Sequence, residues 1–242
     1  MAVVSIYKLE NVTSVEDIVE RLDKRKVNNC LILAQKSKYT DSEVFIQYLY
    51  NESVEESIKK AFPEEDVREI YLLLSQNGKT TVTKRVYCFI NTITKSLEIY
   101  RGKDSVTEEI VAVFEKLLET KITPITLKPE ELKKLYEQHS TELNQAIFKN
   151  VDGLVYNILR GRCLENNSKF NDYINRFLES LRVISFKPKI RFLNGNNRYQ
   201  VTVNGDKGTI KFSNPDNGFA FRPRIEIRQL SFMIASVLGL IS

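Results

Sequence analysis

The pattern of apolar runs predicts an α+β fold, and three observations carry that prediction. Short apolar runs alternate with amphipathic helices over residues 1–127. Helix-spaced apolar stripes dominate 128–182, and period-two strands with Asn-Gly turns return over 183–242. The expected organisation is therefore an N-terminal, mainly antiparallel sheet with helices on one face (1–127), a helical connector (128–182), and a small basic β-rich domain with a C-terminal helix (183–242).

In the N-terminal part, Ser14-Val15-Glu16-Asp17, Ser53-Val54-Glu55-Glu56 and Ser105-Val106-Thr107-Glu108 each place a serine three residues before an acid. That spacing is a capping box, in which hydroxyl and carboxylate satisfy first-turn amides. Apolar residues follow at helical spacing: Val15, Ile18, Val19 and Leu22; then Val54, Ile58 and Phe62; then Val106, Ile110, Val113, Phe114 and Leu117. Strands are predicted at 3–9, 29–35, 44–50, 70–75, 83–91, 96–100 and 122–127, with Thr92-Ile93-Thr94-Lys95 closing a hairpin. The connections are too short for many crossover helices, which favours antiparallel neighbours. The three strand–helix units read either as divergent repeats or as one ordinary grammar written three times.

Pro129, followed by Glu130 and Glu131, opens a helix whose stripe runs through Leu132, Leu135, Tyr136, His139, Leu143, Ala146 and Ile147. A second stripe, Val151, Leu154, Val155, Ile158 and Leu159, carries a break near Gly153. Phe170, Tyr173, Ile174, Phe177, Leu178 and Leu181 make a third. Beyond it, strands are expected at 183–192, 198–203, 208–212 and 219–228, with turns at 194–197 and 204–207. The uncharged segment 230–241 is too short to span a bilayer. It reads as a buried helix first and an oligomer interface second.

Hydrophobic content of 42% and charged content of 28% are those of a globular protein. The net charge of +5 is unevenly distributed. Residues 1–150 hold 22 Lys and Arg against 24 Asp and Glu, whereas 151–242 hold 14 against 7. This asymmetry points to a polyanionic partner. Cys30, Cys88 and Cys163 are odd in number and unclustered, which argues against a disulfide framework and for a reducing, cytoplasmic setting. No secretory leader pattern or membrane-spanning run is legible, so a soluble protein is expected.

Two near-repeats dominate the basic region. Phe186-Lys187-Pro188-Lys189-Ile190-Arg191 and Phe221-Arg222-Pro223-Arg224-Ile225-Glu226-Ile227-Arg228 alternate apolar and basic residues around a proline. Read as strands, they put Lys187, Lys189 and Arg191 on one face and likewise Arg222, Arg224 and Arg228, the two segments lying side by side and presenting their cations together. Arg198, Lys207 and Lys211 lie on the strands and turns between them, with Tyr199 and Phe219 as stacking candidates. These nine cations predict a non-catalytic nucleic-acid-binding or nucleoprotein-associated protein that contacts backbone phosphates. Charges and prolines also protect edge strands from aggregation, which is the competing structural account. The alternative function is an interaction or oligomeric assembly subunit that uses 230–241. A weaker one is an acid-dependent metal nuclease built on Glu98, Glu119 and Lys121.

No cofactor or metal is expected. Gly78-Lys79-Thr80 resembles the end of a phosphate loop, but Leu73 stands where the first glycine belongs, so it reads as a hairpin turn. The single histidine, His139, falls on an apolar stripe and reads as a hydrogen-bonded core residue. The acidic run Glu64-Glu65-Asp66 reads as a solvated turn or a helix start.

Overall fold

A computed structural model describes residues 2–59, 61–100, 104–189, 200–213 and 224–240. Helices and a mainly antiparallel sheet make it α+β, as the sequence predicts. The chain forms two compact units, one of 13–89 with 102–119 and one of 1–12, 90–101 and 120–242. This division differs from the contiguous partition at 127 and 182, because the N-terminal strand pairs with C-terminal ones.

The smaller unit begins with α1 (Val15–Leu22), where the Ser14 hydroxyl accepts from the Asp17 amide at 3.1 Å. Strands β2 (Arg25–Val27), β3 (Cys30–Lys36), β4 (Glu43–Ser53) and β5 (Thr81–Asn91) lie side by side in that order. β5 crosses into the larger unit at Ile90. Helix α4 (Asp104–Leu118) buries Val106, Ile110, Val113, Phe114 and Leu118, with Phe114 edge-on to Tyr48 of β4. α2 (Val54–Ile58) and α3 (Glu64–Gln76) bury a small cluster of Val54, Ile58 and Val67.

Here the sequence reading needs three corrections. Residues 70–75 belong to helix α3, not to a strand; their apolar run is too short for periodicity to separate the two. Gly78 does not turn a hairpin. It sits at φ +71° past the end of α3, and the amides of Gly78 and Lys79 bond back to the Ser75 and Leu74 carbonyls. That is a Schellman stop, for which glycine is the favoured residue. Ser53 makes no capping bond through its side chain, and α2 ends before Phe62.

The larger unit carries β1 (Ala2–Leu9), β6 (Ser96–Tyr100), β7 (Ile122–Pro124), α5 (Pro129–His139), β8 (Ser140–Val151), β9 (Leu154–Arg160), α6 (Ser168–Phe177), β10 (Leu181–Pro188), β11 (Gln200–Asn204), β12 (Thr209–Ser213) and α7 (Arg224–Val237). Its strands run in the order β6-β1-β12-β11-β10-β8-β9, with β7 also on β1. Cross-strand pairing lines up Tyr100, Val4, Ile210, Val203, Ile184 and Ala146 in one row across six strands, and all are buried. Helices pack on that side. Ile234 of α7 lines a tight crevice with Ile6 and Ile210, and Tyr173 of α6 stands edge-on to Phe148.

Two further expectations fail in this unit. The helical connector is largely a hairpin, because residues predicted as helical stripes form β8 and β9. A register shift between Ser185 and Phe186 leaves Asn144 as an extra residue, so Leu143 and Ala146 both face inward although three apart. Such a bulge imitates helical spacing. The supposed helix break at Gly153 is the turn itself, with Asp152 at φ +50° and Gly153 at φ +78°. Asp-Gly between apolar alternations is a strong hairpin signal. The strand expected at 219–228 is corrected as well, since its described part opens α7, which buries Ile227, Leu230, Ile234 and Ala235. That inward spacing extends the helix of the uncharged tail back through Arg224.

Candidate functional site

Six of the nine predicted cations, Lys187, Lys189, Lys207, Lys211, Arg224 and Arg228, lie among the described residues. Arg191, Arg198 and Arg222, with Tyr199 and Phe219, lie outside the described residues. Lys187 stands on β10, and its Nζ meets the Glu142 carboxylate of β8 at 2.5 Å. This pair holds the Glu142 carboxyl below its ordinary range. Lys189 donates to the Gln138 carbonyl at 3.0 Å. Arg224 is the largest departure. It opens α7, points inward and pairs with Glu98 of β6, the two side chains being 4% and 2% exposed. Arg228 is half-buried on the same helix. Arg224 and Arg228, being helical, therefore do not extend a strand face beside Lys187 and Lys189.

Lys207 and Lys211 remain exposed and make no ion pair among the described residues. Lys207 sits in the turn where Asn204 Oδ1 accepts its amide at 3.1 Å. Lys211 lies on the side of the sheet opposite the buried row, in a row that reads Arg160, Gln145, Ser185, Thr202, Lys211 and Val3. Acids are present there too: Asp206 binds Lys149 at 2.5 Å and Arg182 at 3.3 Å.

No family model matches the chain, and comparison with curated proteins found no similar one.

Each of the candidate catalytic groups has an ion-pair partner within the chain. Glu98 is the buried partner of Arg224, and the Glu119 side chain is 80% exposed and bonded to Arg21. Lys121 pairs with Glu10 at 3.4 Å. In the smaller unit, the Cys30 thiol and the Tyr48 hydroxyl both donate to Glu109 Oε1, at 3.3 and 2.9 Å. Burial pushes the Cys30 thiol and the Tyr48 phenol upward, so both stay protonated; a nucleophile needs the reverse. His139 ends α5 with Nε2 buried and without a hydrogen-bond partner, and burial followed by Lys189 lowers its pKa. Its expected hydrogen bond is absent at that atom. Among the described residues no group of three His, Cys, Asp or Glu side chains is placed to hold a metal.

Sequence reasoning missed the surface that stands out most. β9 lies at the edge of the strand order and exposes Leu154, Val155, Tyr156 and Ile158 at 54, 66, 57 and 48%. Leu154, Tyr156 and Ile158 alternate onto one side, opposite Asn157, whose amide binds the Tyr173 hydroxyl of α6 at 2.7 Å. Phe62, Leu72 and Leu73 are also exposed, in the smaller unit. The tail 230–241, by contrast, turns Leu230, Ile234 and Ala235 into its own core, so those side chains are not available to a partner. The Asp-Gly turn was the signal that would have exposed β9 as a strand.

Proposed function

We propose that the protein is a non-catalytic assembly subunit that binds another polypeptide through the edge of β9, which pairs with no second strand among the described residues. One observation carries this reading: four large apolar side chains, each about half exposed or more, stand on an edge strand. Such an edge offers unpaired backbone groups as well as apolar area, and natural sheets ordinarily blunt it with lysine, proline or a covering element. Within β9 the only charge is Arg160, at its very end, and there is no proline. Strand addition supplies main-chain hydrogen bonds for affinity, while alternate side chains give selectivity.

Hydrogen exchange on dilute protein tests the reading. Amides of 154–160 facing away from β8 are expected to exchange rapidly, while those of β10 stay protected. Equal protection in both strands would mean that the edge is already covered, and the reading fails.

Nucleic-acid association is the second reading, and a different observation favours it. Residues 151–242 carry the chain's whole positive excess, and Lys207 and Lys211 are left without acidic partners among the described residues. The row of Arg160, Gln145, Thr202 and Lys211 would present hydrogen-bonding and cationic groups to phosphates without reading bases. Mobility shifts across a salt series, on duplex and single-stranded ligands, test it. Binding that ignores salt, or survives Lys207→Glu with Lys211→Glu, removes it.

A further inference from the structure

We infer that β9 pairs antiparallel with β9 of a second copy of this chain, about a two-fold axis at Asn157. This rests on the assembly reading above and names the partner. A two-fold interface must be self-complementary, each residue meeting the one that meets it. Centred on Asn157, the strand satisfies that requirement along its length. Tyr156 faces Ile158 of the second copy, Val155 faces Leu159, and Leu154 lies beside the aliphatic stem of Arg160. On the apolar side, Leu154, Tyr156 and Ile158 of each copy then form one continuous stripe of cross-strand neighbours, all of them exposed in the single chain.

The ends of the strand supply the second argument. In this register the hairpin turn that holds Asp152 of one copy comes to the end of the strand pair where Arg160 and Arg162 of the second copy lie. Asp152, Arg160 and Arg162 make no ion pair within the chain among the described residues. A negative group therefore stands at one end of β9 and positive groups at the other, which complements an antiparallel copy and opposes a parallel one. Neither end carries the charge repulsion that ordinarily keeps edges apart.

Seven paired residues make a small contact, well below the area of a permanent dimer, so a reversible association is expected. Analytical ultracentrifugation over about 10 µM to 500 µM should show the weight-average mass rising from that of one 28.1 kDa chain toward twice that value. Tyr156→Lys should weaken association at least about tenfold. Asp152→Arg and Arg162→Asp should each weaken self-association by a similar factor, about tenfold, by setting like charges opposite each other. An equimolar mixture of those two variants restores both opposite-charge pairs, and should recover wild-type association. All three positions lie at exposed sites, and unchanged circular dichroism confirms folding. A chain that stays monomeric throughout, variants that leave the mass curve unmoved, or a mixture that fails to recover would each overturn the inference. The two proposals fail separately. A monomer whose 154–160 amides exchange rapidly leaves the edge open for a different polypeptide, whereas a monomer with those amides protected removes both.

Discussion

Arg224→Met is the sharpest perturbation the structure offers, because it asks whether a cation that looks like a binding residue is a core residue. The Arg224 and Glu98 side chains are 4% and 2% exposed, so neither charge is hydrated. Removing the guanidinium leaves a carboxylate in an apolar interior, a change that costs about 3–5 kcal/mol. For a protein of ordinary stability, 5–15 kcal/mol or so, that is a large share. Glu98→Leu alone strands the arginine and should cost a comparable amount. The double variant removes both charges and their desolvation, and should lie within about 2 kcal/mol of wild type. The coupling energy is then at least about 3 kcal/mol. Arg224 has further interactions, but these are lost in both the single and the double variant, so the cycle cancels them. Urea denaturation followed by circular dichroism measures all four corners; the chain has no tryptophan to report by fluorescence. A loss below about 1 kcal/mol for Arg224→Met, or single costs that simply add in the double variant, would refute the argument. Either result would mean that the pair is effectively solvated and that Arg224 is not held as a core residue.

Four further outcomes are expected. Gly208→Ala should destabilise the larger unit by more than about 2 kcal/mol, since its φ is +55° and a Cβ there would sit 2.0 Å from the Ile125 carbonyl oxygen. At Gly78 the same change meets open space and should cost only about 1 kcal/mol, so equal losses in thermal melts would contradict the packing at Gly208. Because the folded chain holds His139 below its ordinary pKa, the unfolded chain binds the proton more readily. Stability should therefore fall as pH drops below about 6.5, and His139→Gln should flatten that part of the profile, as urea midpoints would show. Cys163 is the one exposed thiol of the three cysteines and should react with a disulfide reagent in the native protein, while Cys30 and Cys88 wait for unfolding; fast modification of all three would place them wrongly.

Where local chemistry decides the backbone, the sequence was legible. Ser14 caps α1, Asn91 accepts the amides of Ile93 and Thr94 in the predicted hairpin, and Asn204 accepts from Lys207 in the predicted turn. The period-two burial of Val201 and Val203 and of Ile210 and Phe212 is likewise written in their order. Residues 140–160 imitate helices because one bulged residue shifts the phase of β8, and a shifted period of two looks like a period near three and a half. Asp152-Gly153 is the local signal that marks that hairpin.

The candidate site was harder to read, for a different reason. Sequence fixes the number and sign of charges, and the excess in the last 92 residues is a property of composition alone. It does not fix which charges meet. Glu142 lies 45 residues from Lys187 and Glu98 lies 126 from Arg224, and only the fold brings either pair together. The edge position of β9 belongs to the same class. Whether a strand is interior or terminal in a sheet depends on long-range pairing, so the same seven residues would be buried core in one strand order and open surface in another. Local hydrogen bonding and side-chain period are encoded within a few residues. The pairing of distant charges and the position of a strand in its sheet are decided only when the chain closes on itself.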